Sequence, residues 1–196
     1  MQAKSVEWIL LPNGNLTASL QKIRQSYNQY AISSDSAVVV WRFPPHVRLG
    51  SMSIESDVFK KENIFINPTI RSSGAPPLKI KDAFVYGVEL GFTIEPDSAL
   101  SRIQSLLEKE YSSFSASFSS ISSKEPPFLY GGQLMGNKSL FSAEKINRIK
   151  KDLCGEFYAT RGWKLACISN IDLRPHQTVW QFHYQAPLRI LTISET

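Results

Sequence analysis

The sequence is poor in the residues that build metal sites, disulfides and two-histidine sites. Its 196 residues include two cysteines and three histidines. Cys154 and Cys167 do not form a C-x-x-C pair, and two thiols with three scattered histidines do not make a zinc site. We therefore expect no metal and no cofactor, and the low cysteine count fits a reducing compartment.

Long hydrophobic runs and nucleotide-binding glycine patterns are also missing. No stretch approaches the ~20 apolar residues of a membrane-spanning helix, and residues 1–5 lead into a short strand rather than a signal-peptide core. The patterns G-x-x-x-x-G-K and G-x-G-x-x-G do not occur, which argues against a nucleoside triphosphate or dinucleotide site. We expect no membrane contact. By elimination the location is cytoplasmic or nuclear, and we predict the cytoplasm.

The composition that remains is that of a folded, mildly basic protein. Apolar residues make up 42% of the chain and charged residues 20%, which allows a core and argues against a disordered chain. The formal net charge is +5. This excess fits an anionic ligand, with nucleic acid as the natural candidate, and it equally fits a slightly basic surface without such a ligand.

Hydrophobic periodicity predicts an α+β protein. Apolar or alternating runs predict strands over residues 6–11, 38–41, 47–54, 84–94, 114–118, 128–135, 163–168 and 179–184. Helical spacing predicts helices over residues 16–27, capped by Asn15, and over 96–111 and 142–155. The order suggests one domain of two lobes, approximately residues 1–82 and 83–196, each with helices on the outer face of an antiparallel sheet. The cleft between two such sheets is a natural ligand site.

A histidine after a double proline is the most informative local feature. His46 follows Pro44-Pro45 at the start of the strand 47–54, and Arg48, two residues on, points to the same face. A titratable ring beside a fixed cation can hold a phosphate, with Arg48 as a bidentate clamp. The alternative interpretation is that Arg48 is an exposed side chain on an edge strand and holds no phosphate.

Over most of its length the chain resembles the 2H phosphoesterases, which include RNA-ligase-like proteins and cyclic-nucleotide phosphodiesterases. The resemblance lies in a strand ending in Leu-Pro before a helix (8–27), a proline-led turn into a histidine (45–49), a strand entering a Pro-capped helix (88–100) and two closing strands (163–188). It implies the two-lobed α+β fold of that family. It also implies a metal-independent phosphodiesterase acting on 2′,3′-cyclic or 2′,5′-linked nucleotides. In that family two histidines act as base and acid, and the hydroxyls of two His-x-Thr/Ser motifs hold phosphate oxygens.

The chain departs from both family motifs. Arg48 stands where the first hydroxyl belongs, and the strand expected to carry the second motif has the sequence Tyr130-Gly131-Gly132-Gln133-Leu134, without a histidine. We expect Gln133 to contact phosphate there. A literal His-x-Thr occurs nearer the C-terminus, with His176 as a candidate second catalytic histidine and Thr178 as a candidate phosphate ligand. The alternative interpretation is that His176 simply lies on a hairpin loop after Pro175.

The missing histidine favours binding over catalysis, because each positioned proton-transfer group contributes roughly 10²–10⁴-fold to the rate. We therefore expect a protein that binds RNA or a nucleotide phosphate on a 2H-phosphoesterase-like scaffold. The alternatives are an active phosphodiesterase that uses His46 and His176, and a protein-interaction subunit of a larger assembly. Basic and aromatic residues are candidate RNA contacts. The basic residues also fit a solvated helix face, and the aromatic residues also fit a core. The basic residues are Lys145, Arg148, Lys150 and Lys151, and the aromatic residues are Tyr130, Tyr158, Trp163 and Trp180.

Overall fold

Antiparallel strands dominate the fold. The computed structural model has ten strands and two long helices in the part of the chain that it describes. The described residues are 3–12, 14–32, 38–41, 43–55, 78–95, 97–111, 118–120, 128–135, 144, 147–148, 151, 158–159, 163–174 and 177–187. The predicted helix 142–155 lies mostly outside them.

The elements follow one another as strands interrupted by two helices. The strands are β1 (Ala3–Leu11), β2 (Val38–Val40), β3 (His46–Glu55), β4 (Leu78–Tyr86), β5 (Glu89–Glu95), β6 (Phe118–Ser120), β7 (Phe128–Met135), β8 (Tyr158–Ala159), β9 (Lys164–Arg174) and β10 (Gln177–Pro187). The helices are α1 (Gly14–Ile32) and α2 (Asp97–Tyr111). Helix α1 starts one residue before the expected cap, so Asn15 lies inside it.

All ten strands belong to one hydrogen-bonded sheet. Its order is β10-β9-β1-β3-β7-β5-β4-β8, with β2 added to β7 and β6 added to β3. Within their described lengths, β3 and β7 are joined by two residue pairs, His46 with Tyr130 and Val47 with Leu129. The two sheets expected from the sequence therefore meet at this junction. The α+β fold is confirmed, and the division into lobes near residue 82 stays a prediction.

Both helices pack on one face of the sheet. Along β1 the side chains of Val6, Trp8 and Leu10 point to this face and are fully buried, as the two-residue period of a strand requires. The same core cluster includes Leu16 and Leu20 of α1 and Ala99, Leu100, Ile103 and Leu107 of α2. We call the opposite face, which carries His46, the His46 face.

Residues 84–94 form a hairpin rather than the single long strand predicted from their apolar run. Strand β4 ends at Tyr86, Gly87 and Val88 turn the chain, and β5 begins at Glu89. Gly87 has a φ of 59°, a left-handed conformation that glycine adopts at little cost. Apolar residues continue on both sides of this short turn, so periodicity alone does not reveal it.

A glycine bulge in β7 shapes the centre of the sheet. The pairing of β5 with β7 skips Gly131, which is therefore an extra residue in its strand. The next residue, Gly132, has a φ of 141°. A Cβ at Gly132 would lie 2.7 Å from Val39 Cγ1 and 3.0 Å from the Val40 carbonyl oxygen. Both the backbone conformation and the available space therefore require glycine at this position.

We expect Gly132→Ala to destabilise the protein more than Gly87→Ala. At Gly132 the new methyl group meets an unfavourable φ and a close neighbour, so the free energy of unfolding should fall by about 2–4 kcal/mol. At Gly87 a Cβ meets nothing within 4 Å, and a conformational cost of about 1 kcal/mol remains. Urea unfolding followed by tryptophan fluorescence measures both losses. Equal losses would show that the bulge tolerates a side chain.

Candidate functional site

His46 begins β3 and is buried, with 6% of its surface exposed. Its Nδ1 lies 2.8 Å from the carbonyl oxygen of Pro44. Because a carbonyl oxygen can only accept, Nδ1 donates and carries the proton of the neutral ring. The double proline therefore orients the imidazole and selects its tautomer.

The surroundings of His46 keep its ring uncharged. Burial lowers the pKa of His46 from 6.5 to about 4; the hydrogen bond to Pro44 opposes this shift and the charge of Arg48 adds to it. At pH 7 roughly one ring in a thousand would carry a second proton. His46 is therefore unsuited to donate a proton near neutral pH, and it is a weak proton acceptor.

Aromatic rings surround the imidazole. Trp180 meets it edge-on with ring centroids 4.8 Å apart, and Tyr130 lies against it at 5.0 Å. Phe43, in the turn before β3, stacks on Trp180 at 5.0 Å, and Phe182 meets Trp180 at 6.1 Å. We call Phe43, Tyr130, Trp180 and Phe182 the aromatic cluster. Such contacts add roughly 0.5–1.5 kcal/mol each beyond the area that they bury, so the cluster holds His46 in place.

The contact between Trp180 and His46 requires a curved sheet. Trp180 lies in β10, and β9 and β1 separate that strand from β3. Three strand spacings amount to roughly 14 Å across a flat sheet, far more than the 4.8 Å between the two ring centroids. The sheet therefore bends toward the His46 face and makes that face concave at this end.

Arg48 is paired with a carboxylate on the neighbouring strand β1. Its Nε and Nη2 donate hydrogen bonds of 3.1 and 2.9 Å to the two carboxylate oxygens of Glu7. The two side chains are 56% and 21% exposed. Strand β3 lies between β1 and β7, so Arg48 is not on an edge strand. The cation expected beside His46 is present, and Glu7 neutralises it.

Tyr130 lies directly opposite His46 across the antiparallel pair β3–β7. A phenol therefore faces the imidazole across these two strands. His176 lies outside the described residues. The third histidine, His183, is elsewhere engaged, with its Nε2 2.8 Å from Ser169 Oγ.

The other two expected phosphate ligands lie in strands that contribute to this face or its edge. Strand β5 pairs Gly91 with Tyr130 and Glu89 with Gln133, so the bulge brings Gln133 to the His46 face. Gln133 is half-buried there. Thr178 lies in β10 opposite Asp172. Contact of either residue with phosphate stays a prediction.

Sequence reasoning misses Glu7 and Phe43. Glu7 lies between Val6 and Trp8, in the apolar run 6–11 that predicts the first strand. A single carboxylate inside such a run is the signal of a strand with two different faces. No comparable signal marks Phe43, because its contact with Trp180 joins residues far apart in the sequence.

The remaining candidate RNA contacts lie in different environments. Trp163 is 1% exposed and belongs to the core, whereas Trp180 is half-buried in the aromatic cluster. Arg148 and Lys151 are exposed. Lys145, Lys150 and the side chain of Tyr158 lie outside the description.

Two further properties concern metal and membrane. Nowhere in the described ranges do three or more histidine, cysteine, aspartate or glutamate side chains come together as a metal site. None of the described helices is both long and apolar enough to cross a membrane. The expected absence of a metal stays a prediction.

The fold that carries this site is that of the 2H phosphoesterases. Two solved structures of E. coli LigT, a 2H phosphoesterase, match 96% of this chain and 99% of LigT. The complex with 3′-AMP aligns with a TM-score of 0.55 and 9% identity, and the complex with phosphate with 0.54 and 10%. No protein-family model and no curated protein matches the sequence. The likeness confirms the fold that the sequence resemblance predicted, and at this low identity it shows the fold alone.

We expect His46 to make the protein less stable in acid. Its folded-state pKa of about 4 lies below the ordinary 6.5, so between these pH values the unfolded chain takes up a proton that the folded chain does not. The free energy of unfolding should therefore fall by about 3 kcal/mol as the pH falls from 7 to 4.

His46→Phe keeps an aromatic ring and removes this titration. Chemical unfolding at pH 7 and pH 4.5 measures the effect in both proteins. A wild-type loss on acidification that exceeds the loss of the variant supports the buried neutral ring, and identical losses contradict it.

Proposed function

We propose that the protein binds RNA or a nucleotide phosphate on the His46 face and does not turn it over. The observation that carries this proposal is the neutral His46 ring, buried under Trp180 and faced by Tyr130, beside an exposed arginine. Among the described residues this face thus offers a cation and aromatic rings, and the imidazole of His46 carries no charge with which to donate a proton.

Binding is supported by the neighbourhood of Arg48. Its guanidinium is 56% exposed, and a planar guanidinium suits the oxygens of a phosphate. Phe182 is 47% exposed on the same face, and Trp180 is half-buried beside it. Aromatic side chains next to a cation are the usual elements of a single-stranded nucleic-acid site, since bases stack on the rings while the cation holds the backbone.

The loss of turnover is supported by the protonation state of His46. In the mechanism that the family resemblance implies, one histidine gives a proton and another takes one. A ring with a pKa of about 4 is poorly matched to either task at pH 7. We further propose Gln133 and Thr178 as phosphate ligands, contacts with protein partners and a cytoplasmic location. His176 belongs to the alternative, in which it would act with His46 in an active phosphodiesterase.

We expect Arg48→Ala to weaken binding of a fluorescently labelled single-stranded oligoribonucleotide about tenfold, because a charge-assisted hydrogen bond contributes roughly 1.5–3 kcal/mol and Glu7 already competes for it. Fluorescence anisotropy measures the affinity. The slope of log affinity against log salt should fall by about one.

Arg102→Ala is the matched control for this measurement. Arg102 is exposed on α2, on the opposite side of the sheet, and its loss changes the net charge equally. Equal weakening in the two variants would show that binding depends on overall charge and would contradict a site at Arg48.

We expect no turnover of 2′,3′-cyclic nucleotides or 2′,5′-oligoadenylate without added metal. A missing proton-transfer group costs roughly 10²–10⁴-fold in rate, and His46 is itself poorly suited. Product formation by the wild type that His46→Ala abolishes would instead establish a phosphodiesterase.

A further inference from the structure

We propose that the Glu7 carboxylate occupies the anion position on Arg48, so that it sets how strongly this site takes a phosphate. The inference rests on the proposed function, since it concerns the same cation. It adds a residue that neither the sequence resemblance nor the histidine motif includes.

The geometry of the pair is that of a bound anion. Glu7 accepts from both Nε and Nη2 of Arg48, at 3.1 and 2.9 Å. This two-point contact uses the edge of the guanidinium that a phosphate would also use. A phosphate on that edge must displace the carboxylate. A phosphate on the remaining edge would lie close to the carboxylate and be repelled. In either position Glu7 weakens the binding of a phosphate.

The register of the sheet holds Glu7 within reach of Arg48. Strand β1 pairs Ile9 with Arg48 and Glu7 with Ser51, and the register shifts by one residue between these pairs. Glu7 and Arg48 are therefore diagonal neighbours on one face. On the other side of β1, Glu7 lies opposite Ile168 of β9. An acidic side chain is thus held between an apolar neighbour and the cation.

The pair can open without unfolding the protein. Arg48 is 56% exposed and Glu7 21% exposed, so water and ligand can reach both side chains. Ion pairs with this exposure contribute little to stability, because water screens them. An incoming phosphate can therefore displace the carboxylate from Arg48. Because a negative charge has to be displaced, the affinity for phosphate is lower than it would be with a neutral side chain at position 7.

The exchange also predicts a preference for ligands with more charge. A phosphodiester carries one negative charge, the same as the carboxylate that it replaces beside Arg48. A terminal phosphate carries close to two negative charges at pH 7, so Arg48 attracts it more strongly than it attracts the carboxylate. We therefore infer that the site favours RNA or nucleotides that end in a phosphate over internal phosphodiesters.

Glu7→Gln tests the inference because it removes the charge and keeps the size of the side chain. Affinity for a labelled oligoribonucleotide without a terminal phosphate should rise roughly three- to thirtyfold, as expected when one like charge is removed near a contact. The 3′-phosphorylated oligoribonucleotide should bind more tightly than the unphosphorylated one in both proteins, because removal of the carboxylate does not lower the attraction of Arg48 for a second negative charge. Inorganic phosphate should compete more effectively as well.

Glu95→Gln is the matched control. Glu95 forms an ion pair with Lys81 in the other half of the sheet, so its replacement changes the net charge by the same amount at a distance. The double variant Glu7→Gln/Arg48→Ala should lose the gain seen in Glu7→Gln. Far-UV circular dichroism and urea unfolding establish that each variant is folded.

The outcomes separate this inference from the proposed function. If the wild type binds and Glu7→Gln binds no more tightly than Glu95→Gln, the inference is overturned and the proposed function stands. If Glu7→Gln binds and the wild type does not, the carboxylate blocks the site, which supports the inference and contradicts the proposed function of the native chain. If neither binds, both fail.

Discussion

The burial of the His46 imidazole at the junction of β3 and β7 is the constraint on which the rest of the site depends. Within the described residues two residue pairs join the halves of the sheet there, and His46 and Tyr130 form one of them. The side chains of that pair lie against each other on the concave face, and Trp180 covers the imidazole from the opposite edge of the sheet. The same contacts thus help to connect the two halves and remove the imidazole from water.

Desolvation at this junction changes what the histidine can do. An imidazole open to water titrates near neutral pH and can exchange protons with a substrate. His46 is buried against aromatic rings, and its Nδ1–H donates a hydrogen bond to the Pro44 carbonyl oxygen. It therefore stays neutral at pH 7 and contributes to the packing of this face. The concave face therefore presents His46 as a buried, neutral ring, with a pKa lowered to about 4.

On the concave face the positive charge of Arg48 is balanced by the negative charge of its neighbour Glu7. The chain carries a net charge of +5, yet Arg48 is engaged by Glu7. Under the proposed function, an anion that binds Arg48 has to replace this carboxylate and must therefore offer more than the carboxylate supplies. The aromatic cluster beside the pair would add stacking on a base to the contact with a phosphate.

Local patterns were sufficient for much of the architecture. The alternation along β1, the helical spacing of Leu16 and Leu20, and the turn into His46 predict the observed elements, since each depends on neighbours within a few residues. Patterns failed at the hairpin of β4 and β5, where apolar residues continue on both sides of a short turn at Gly87. They also failed for Glu7, whose meaning depends on a residue 41 positions away.

The amino-acid order alone determined the α+β class, the place of His46 after a double proline, and the absence of histidine from residues 128–135. The tertiary structure alone decided that Trp180 covers the imidazole, that Glu7 holds Arg48, and that burial lowers the pKa of His46. The physical reason is that protonation and pairing depend on the water and the charges around a group. Curvature and register of the sheet set those surroundings, and both arise from contacts between strands that are distant in the chain.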